Sequence, residues 1–168
     1  FAEQATGSII PVMKPWDIGY WSEKRRKALY DFDSEELRPY FPMQGVLEGM
    51  FSIYSGLYGI RLTQKPTACI KEGEPLPEGA VEVWHPEVRC FKVTDTATGN
   101  HLGTFYLDLF PRAGKRSGAW MTNFKEQYKK DGVDSRPHVS ITMNFTKPTE
   151  SKPALLTQDE VETFLHEI

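Results

Sequence analysis

Between residues 45 and 64 the apolar side chains Val46, Leu47, Met50, Phe51, Tyr54, Leu57 and Tyr58 recur at steps of three and four. That spacing predicts a helix with one buried face, capped by Gly59, after which residues 60–62 begin an extended segment. Upstream, residues 22–41 combine helix formers with high charge and predict one or two short helices. Ser22 is the expected N-cap, and Pro39 steers Arg38 away from helix. The stretch "KEGEPLPEGA" reads as a surface loop. Beyond it the period falls to two. Val88, Cys90, Phe91 and Val93 lead into "DTATGN", and Leu102, Thr104, Phe105, Tyr106, Leu107 and Leu109 follow, a hairpin signal with Gly99 and Asn100 in the turn.

A second turn-rich loop, "PRAGKRSG", precedes "AWMTNF", which reads as extended, and a polar run, "KEQYKKDGVDSRP". Val139, Ile141, Met143 and Phe145 then alternate with Ser140, Thr142, Asn144 and Thr146, as in a half-buried strand. In the last segment Thr157 and Glu160 form a capping box, and Leu156 and Val161 a hydrophobic staple. Val161, Phe164, Leu165 and Ile168 fall on one expected buried face, and His166 projects roughly 140° around from Val161, off that stripe. With no internal repeat or linker, the 168 residues read as a single, partial α+β domain: a small, mostly antiparallel sheet flanked by helices.

Charge and composition narrow the partners. A formal net charge of -3 gives no basic field for nucleic acid. The run Lys24, Arg25, Arg26 and Lys27 is followed closely by Asp31, Asp33, Glu35 and Glu36, so it reads as a solvated helix face. No apolar run reaches the roughly 18 to 20 residues of a membrane span. Cys69 and Cys90 lack zinc-site spacing and are expected to be buried free thiols, which favours a reducing compartment, the cytoplasm. The sequence starts at Phe1 without a methionine, and both ends read as cut.

Candidate chemistry lies at "ETFLHEI". In H-E-x-x-H two histidines at i and i+4 on one helical face bind zinc, and the intervening Glu acts as general base. His166 and Glu167 supply the first two letters, and position 170 lies outside the sequence. His85, His101 and His138 show no ligand spacing. There is no Gly-rich phosphate loop, no G-x-S-x-G elbow and no cysteine with a nucleophile signature. The residues by themselves define only a soluble domain of mixed helix and strand.

Longer blocks carry more. "KPALLTQDEVETFLHEI" resembles the approach to the active-site helix of the thimet oligopeptidase, oligopeptidase A and peptidyl-dipeptidase family of zinc metallopeptidases. Leu155, Leu156, Asp159, Glu160, Val161, His166 and Glu167 fit that family in register. "FYLDLFPRAGKRSGAWMTNF" resembles its Y-x-D-x-x-x-R-x-x-K-x-G-A-W stretch, in the version found in bacterial peptidyl-dipeptidases. "RKALYDFDSEELRPYFPMQGVLEGMF" resembles its Y-D-x-D, P-Y-F and following helix. Ile168 departs from the family's usual Phe.

The resemblance implies a zincin-like catalytic domain, truncated in its zinc-binding helix, with His166 as a zinc ligand and Glu167 as the general base. The other ligands and the groups that stabilise the tetrahedral intermediate would lie beyond Ile168. It implies short peptide substrates and release of C-terminal dipeptides. Gly118, Ala119 and Trp120 become candidates for an edge that pairs with the substrate backbone, with Gly118 permitting close approach; the alternative is that Gly118 is a turn and Trp120 a core anchor. Arg112, Lys115 and Arg116 read either as a solvated loop or as a carboxylate site. The isolated piece is expected to bind zinc weakly, to cleave nothing, and to self-associate through an apolar surface left uncovered. The competing reading is a peptide-binding or scaffold module that keeps the fold without metal.

Overall fold

A computed structural model describes residues 1–7, 12–30 and 34–168. Pro11, and Asp31 and Asp33 of the acidic run, lie outside the described residues. After a short helix α1 (Ala2–Thr6) comes α2 (Pro15–Tyr30), which starts well before the expected cap at Ser22. Pro15 is pre-set for the first helical position, and the Lys14 N–H donates to Asp17 Oδ2 at 2.9 Å. Ser22 is therefore inside the helix and caps nothing. No residue of α2 is buried, as its charge pattern implied. Pro39 falls within a 3₁₀ turn (Ser34–Tyr40) rather than ending a helix ahead of it.

Helix α3 (Met43–Tyr58) buries Met43, Leu47 and Met50, and Gly59 closes it in the left-handed conformation, φ 62°. The main sheet has five strands in the order β1 (Ile60–Lys65), β4 (Arg89–Asp95), β5 (His101–Asp108), β9 (His138–Thr142) and β6 (Trp120–Lys125). All neighbours are antiparallel except β5 and β9. β2 (Thr67–Ala68) and β3 (Val81–Glu82) form a small parallel pair, and β7 (Tyr128–Lys130) and β8 (Val133–Ser135) a hairpin. That hairpin fills a stretch read only as polar. Asp131 and Gly132, with φ 51° and 77°, make its turn, and the Asp-Gly pair was its signal.

The β4–β5 hairpin forms as expected. Its turn is braced by Asp95, whose carboxylate accepts from the N–H and hydroxyl of Thr98, both at 2.7 Å. One face of the sheet, with Phe91, Leu107 and Ile141, packs against α3 and the last helix, α4 (Gln158–Glu167). Phe51 meets Phe91 edge-on at 4.9 Å, and Phe145 meets Phe164 at 5.4 Å. Each fully buried side chain of this kind contributes about 1.5–3 kcal/mol by leaving water, and the partly buried Phe51 less. The opposite face carries a smaller cluster of Val83, Val88, Cys90 and Tyr106.

Three expectations change here. β9 is not half-buried: Ser140 and Thr142 are buried like Ile141, because the strand is inserted between β5 and β6 with packing on both faces. On α4 the apolar stripe is buried only at Phe164, whereas Leu165 and Ile168 are 38% and 40% exposed, because the last turn overhangs a groove instead of a filled core. Cys90 is buried, but Cys69 is exposed. Among the described residues no helix is long and apolar enough to cross a membrane.

Candidate active site

The capping box of α4 forms as the sequence predicts. Glu160 N–H donates to Thr157 Oγ1 at 3.1 Å, and Thr157 N–H donates to Glu160 Oε2 at 2.8 Å. At the other end the Tyr54 hydroxyl donates to Leu165 O at 3.0 Å, which satisfies one of the last carbonyls of the helix. The last turn is thus tied to α3, and it presents an exposed His166 and a half-buried Glu167. Glu167 and Ile168 line an apolar groove of about 370 Å³ whose other walls include Tyr54, Phe105, Met121, Val139 and Ile141.

Met121 belongs to β6, the sheet's edge strand, and the residues just before β6 flank the first half of the same helix. Gly118 and Ala119 share a crevice with Asn144, Asp159, Glu160 and Thr163. Gly118 and Ala119 thus lie towards the first half of α4, and Met121 shares the groove at its last turn. Gly118 has φ 103°, a left-handed value that disfavours any side chain, and a Cβ there would meet nothing within 4 Å. Its glycine is required by backbone conformation, with open space in front of it.

Trp120 has a different orientation. Register places it beside Thr142 and Asp108 on one face, whereas Met121, Ile141 and Leu107 lie on the α4 side. Its backbone belongs to the edge, but its indole faces away from α4, with the Arg116 guanidinium 5.8 Å from the ring centre.

In the loop between β5 and β6 Arg116 and its neighbours at 113, 114, 117 and 118 are exposed, as a solvated loop should be, but Lys115 is neither solvated nor free to bind an anion. The Lys115 side chain is 3% exposed. Its ammonium donates to Asp108 Oδ1 and O at 2.9 Å each, to Phe110 O at 2.7 Å and to Met143 O at 2.6 Å. Arg112 grips the same carboxylate with two nitrogens at 2.7 and 2.8 Å, and Trp84 Nε1 donates to it at 2.9 Å. Burial pushes the Asp108 carboxyl up, but the hydrogen bonds from Arg112, Trp84 and Lys115, with the Lys115 charge, outweigh it and hold the group at about 2. Burial pulls the Lys115 ammonium below its ordinary value, against the hydrogen bond and charge of Asp108.

The sequence description of peptidase family M3 matches residues 2–168. The chain belongs to peptidase family M3. It is 43% identical over 157 residues to oligopeptidase A of Salmonella typhimurium, covering 92% of this chain and 21% of that protein. Its identity to oligopeptidase A of Escherichia coli is 42% over 157 residues, with the same coverage. To dipeptidyl carboxypeptidase of Escherichia coli it is 35% identical over 155 residues, covering 92% of this chain and 20% of that protein. The chain spans about one fifth of the length of these relatives.

Membership in family M3 implies a zinc ion, and the residues present fit only part of its shell. The exposed imidazole of His166 is a suitable single donor on the helix, with Glu167 next to it. A catalytic zinc generally takes three protein ligands. Among the described residues no group of three His, Cys, Asp or Glu side chains converges closely enough to hold a metal.

Proposed function

We propose that this chain is a portion of a zinc-dependent oligopeptidase, forming the first part of a zincin-like catalytic domain in a longer cytoplasmic enzyme that hydrolyses short peptides and releases C-terminal dipeptides. The observation that carries this reading is that, in a family M3 chain, the last turn of α4 holds His166 and Glu167, and Glu167 lines one groove with Met121 of the edge strand that follows residues 118–120. His166 contributes one zinc ligand, and other parts of the longer protein contribute the rest. Zinc, when bound, supplies a Lewis acid for the scissile carbonyl and lowers the pKa of the attacking water. Glu167 accepts a proton from that water and delivers it to the leaving amine. The backbone of Gly118, Ala119 and Trp120 takes up an extended peptide by strand addition.

The test is hydrolysis of short peptides by the full-length protein, with products identified by mass. Glu167→Gln is expected to lower kcat by about 10²- to 10⁴-fold, the usual contribution of a general base. Internal cleavage would replace dipeptide release while keeping the peptidase. Peptide binding without chelator-sensitive cleavage would replace both with the scaffold reading. The isolated 168 residues, holding one of three ligands, are expected to cleave nothing. Their groove beside Met121 and Ile168 is expected to drive self-association, which sedimentation at rising concentration would detect. A strictly monomeric piece would remove that expectation.

A further inference from the structure

Gly118 is held by a residue from another strand. Asn144 lies just beyond the end of β9 and is half-exposed. Its carboxamide nitrogen donates both hydrogens to the neighbouring loop, to Arg116 O at 3.0 Å and to Gly118 O at 2.8 Å. One residue earlier, Met143 O receives the Lys115 ammonium. Residues 143 and 144 thus fasten the loop at positions 115, 116 and 118, immediately before it becomes the edge strand. The last of these points is the backbone at φ 103°. Asn144 also lines the crevice shared by Gly118, Ala119 and the first half of α4. Immobilising a half-exposed amide and two loop carbonyls costs conformational entropy, so each hydrogen bond leaves only a modest net gain in stability. Its larger consequence is direction: the Gly118 peptide plane has one orientation, and so does the Ala119 backbone that follows.

We infer that Asn144 is a positioning residue for peptide binding. By fixing the Gly118 carbonyl it sets the angle at which the edge backbone meets an extended substrate. The inference rests on the reading of residues 118–120 as the peptide-binding edge, and its experiment separates the two. The full-length peptidase is assayed on a short peptide and on copies N-methylated at one amide at a time, which removes one backbone donor from each. In the native protein, methylation of the amide that pairs with the edge raises KM about three- to tenfold, the worth of one hydrogen bond.

Asn144→Asp keeps the shape but replaces the donors with an anionic acceptor facing two carbonyls, and Asn144→Ala removes the group at a half-exposed site that tolerates truncation. Both variants are expected to raise KM for the unmodified peptide by a similar three- to tenfold with kcat little changed. In both, the N-methyl penalty is expected to shrink towards one, because the misaligned edge no longer uses that donor. An unchanged KM, or a raised KM with the N-methyl penalty intact, overturns the role of Asn144 and leaves the edge reading standing. No N-methyl penalty at any position of the native enzyme's substrate overturns the edge reading itself, and the inference with it.

Discussion

Asp108 and Glu167 are both carboxylates at the C-terminal end of a regular element, β5 and α4, and the structure treats them in opposite ways. Asp108 is 3% exposed and receives Trp84, both nitrogens of Arg112 and the Lys115 ammonium. Glu167 sits at the wall of an open apolar groove, and among the described residues its carboxylate takes part in no hydrogen bond or ion pair. A buried anion with every lone pair engaged is fixed in both charge and place, so it organises the chain around it. A general base needs an unengaged lone pair where a water can reach it. The number of donors around a carboxylate, more than its burial, separates the structural use of Asp108 from the use proposed for Glu167.

The largest effect should come from breaking the first arrangement. Lys115→Met leaves Asp108 buried with less compensation and is expected to destabilise the folded state by about 3–5 kcal/mol. Denaturant unfolding of the full-length protein, with amide exchange read on residues 109–118, would measure this. A cost below about 1 kcal/mol would mean that Arg112 and Trp84 suffice and that Lys115 is only a spacer.

An intermediate effect should follow acidification. The folded-state carboxyl of Asp108 is held near 2, below its ordinary 3.8, so its contribution to stability is fully present above about 3.8. It declines as pH falls from there and is lost once the pH is below about 2. Amide protection of the loop should be flat from neutral pH to about 4 and drop below that. A drop centred near neutral pH would implicate a different group.

The smallest effect on stability is expected at the helix end. His166→Ala removes an exposed side chain and should leave the melting temperature of the metal-free protein unchanged, because among the described residues nothing leans on it. A clear fall would show that His166 has a structural partner and would weaken its assignment as a ligand.

Much of the fold is legible along the chain where the determining contacts are local. Thr157 and Glu160 lie one helical turn apart and cap the helix they start. Gly59 ends α3, and Asp95 with Gly99 makes the β4–β5 turn, because each acts within a few residues. The expected start of α2 at Ser22 fails for an equally local reason: Pro15 and Asp17 provide an earlier and better start. The candidate site's geometry is legible by halves. His166 lies off the buried stripe by helical geometry alone, and Gly118 is where a glycine is required. The Lys115 environment is not legible, since a lysine in "PRAGKRSG" has the composition of a solvated loop. Its acceptors are Asp108 and Phe110, seven and five residues back, and Met143, 28 residues ahead, and only the fold brings them onto one ammonium.

Element types, caps and turns were thus determined by the sequence itself, because short-range hydrogen bonds and periodic burial are written into neighbouring residues. Tertiary structure decided which elements meet. It inserted β9 between β5 and β6, turned Trp120 away from α4, buried Lys115, and brought Asn144 to the Gly118 carbonyl. These outcomes depend on strand order and on desolvation, which are properties of residues far apart in the chain and have no signature in any one stretch of it.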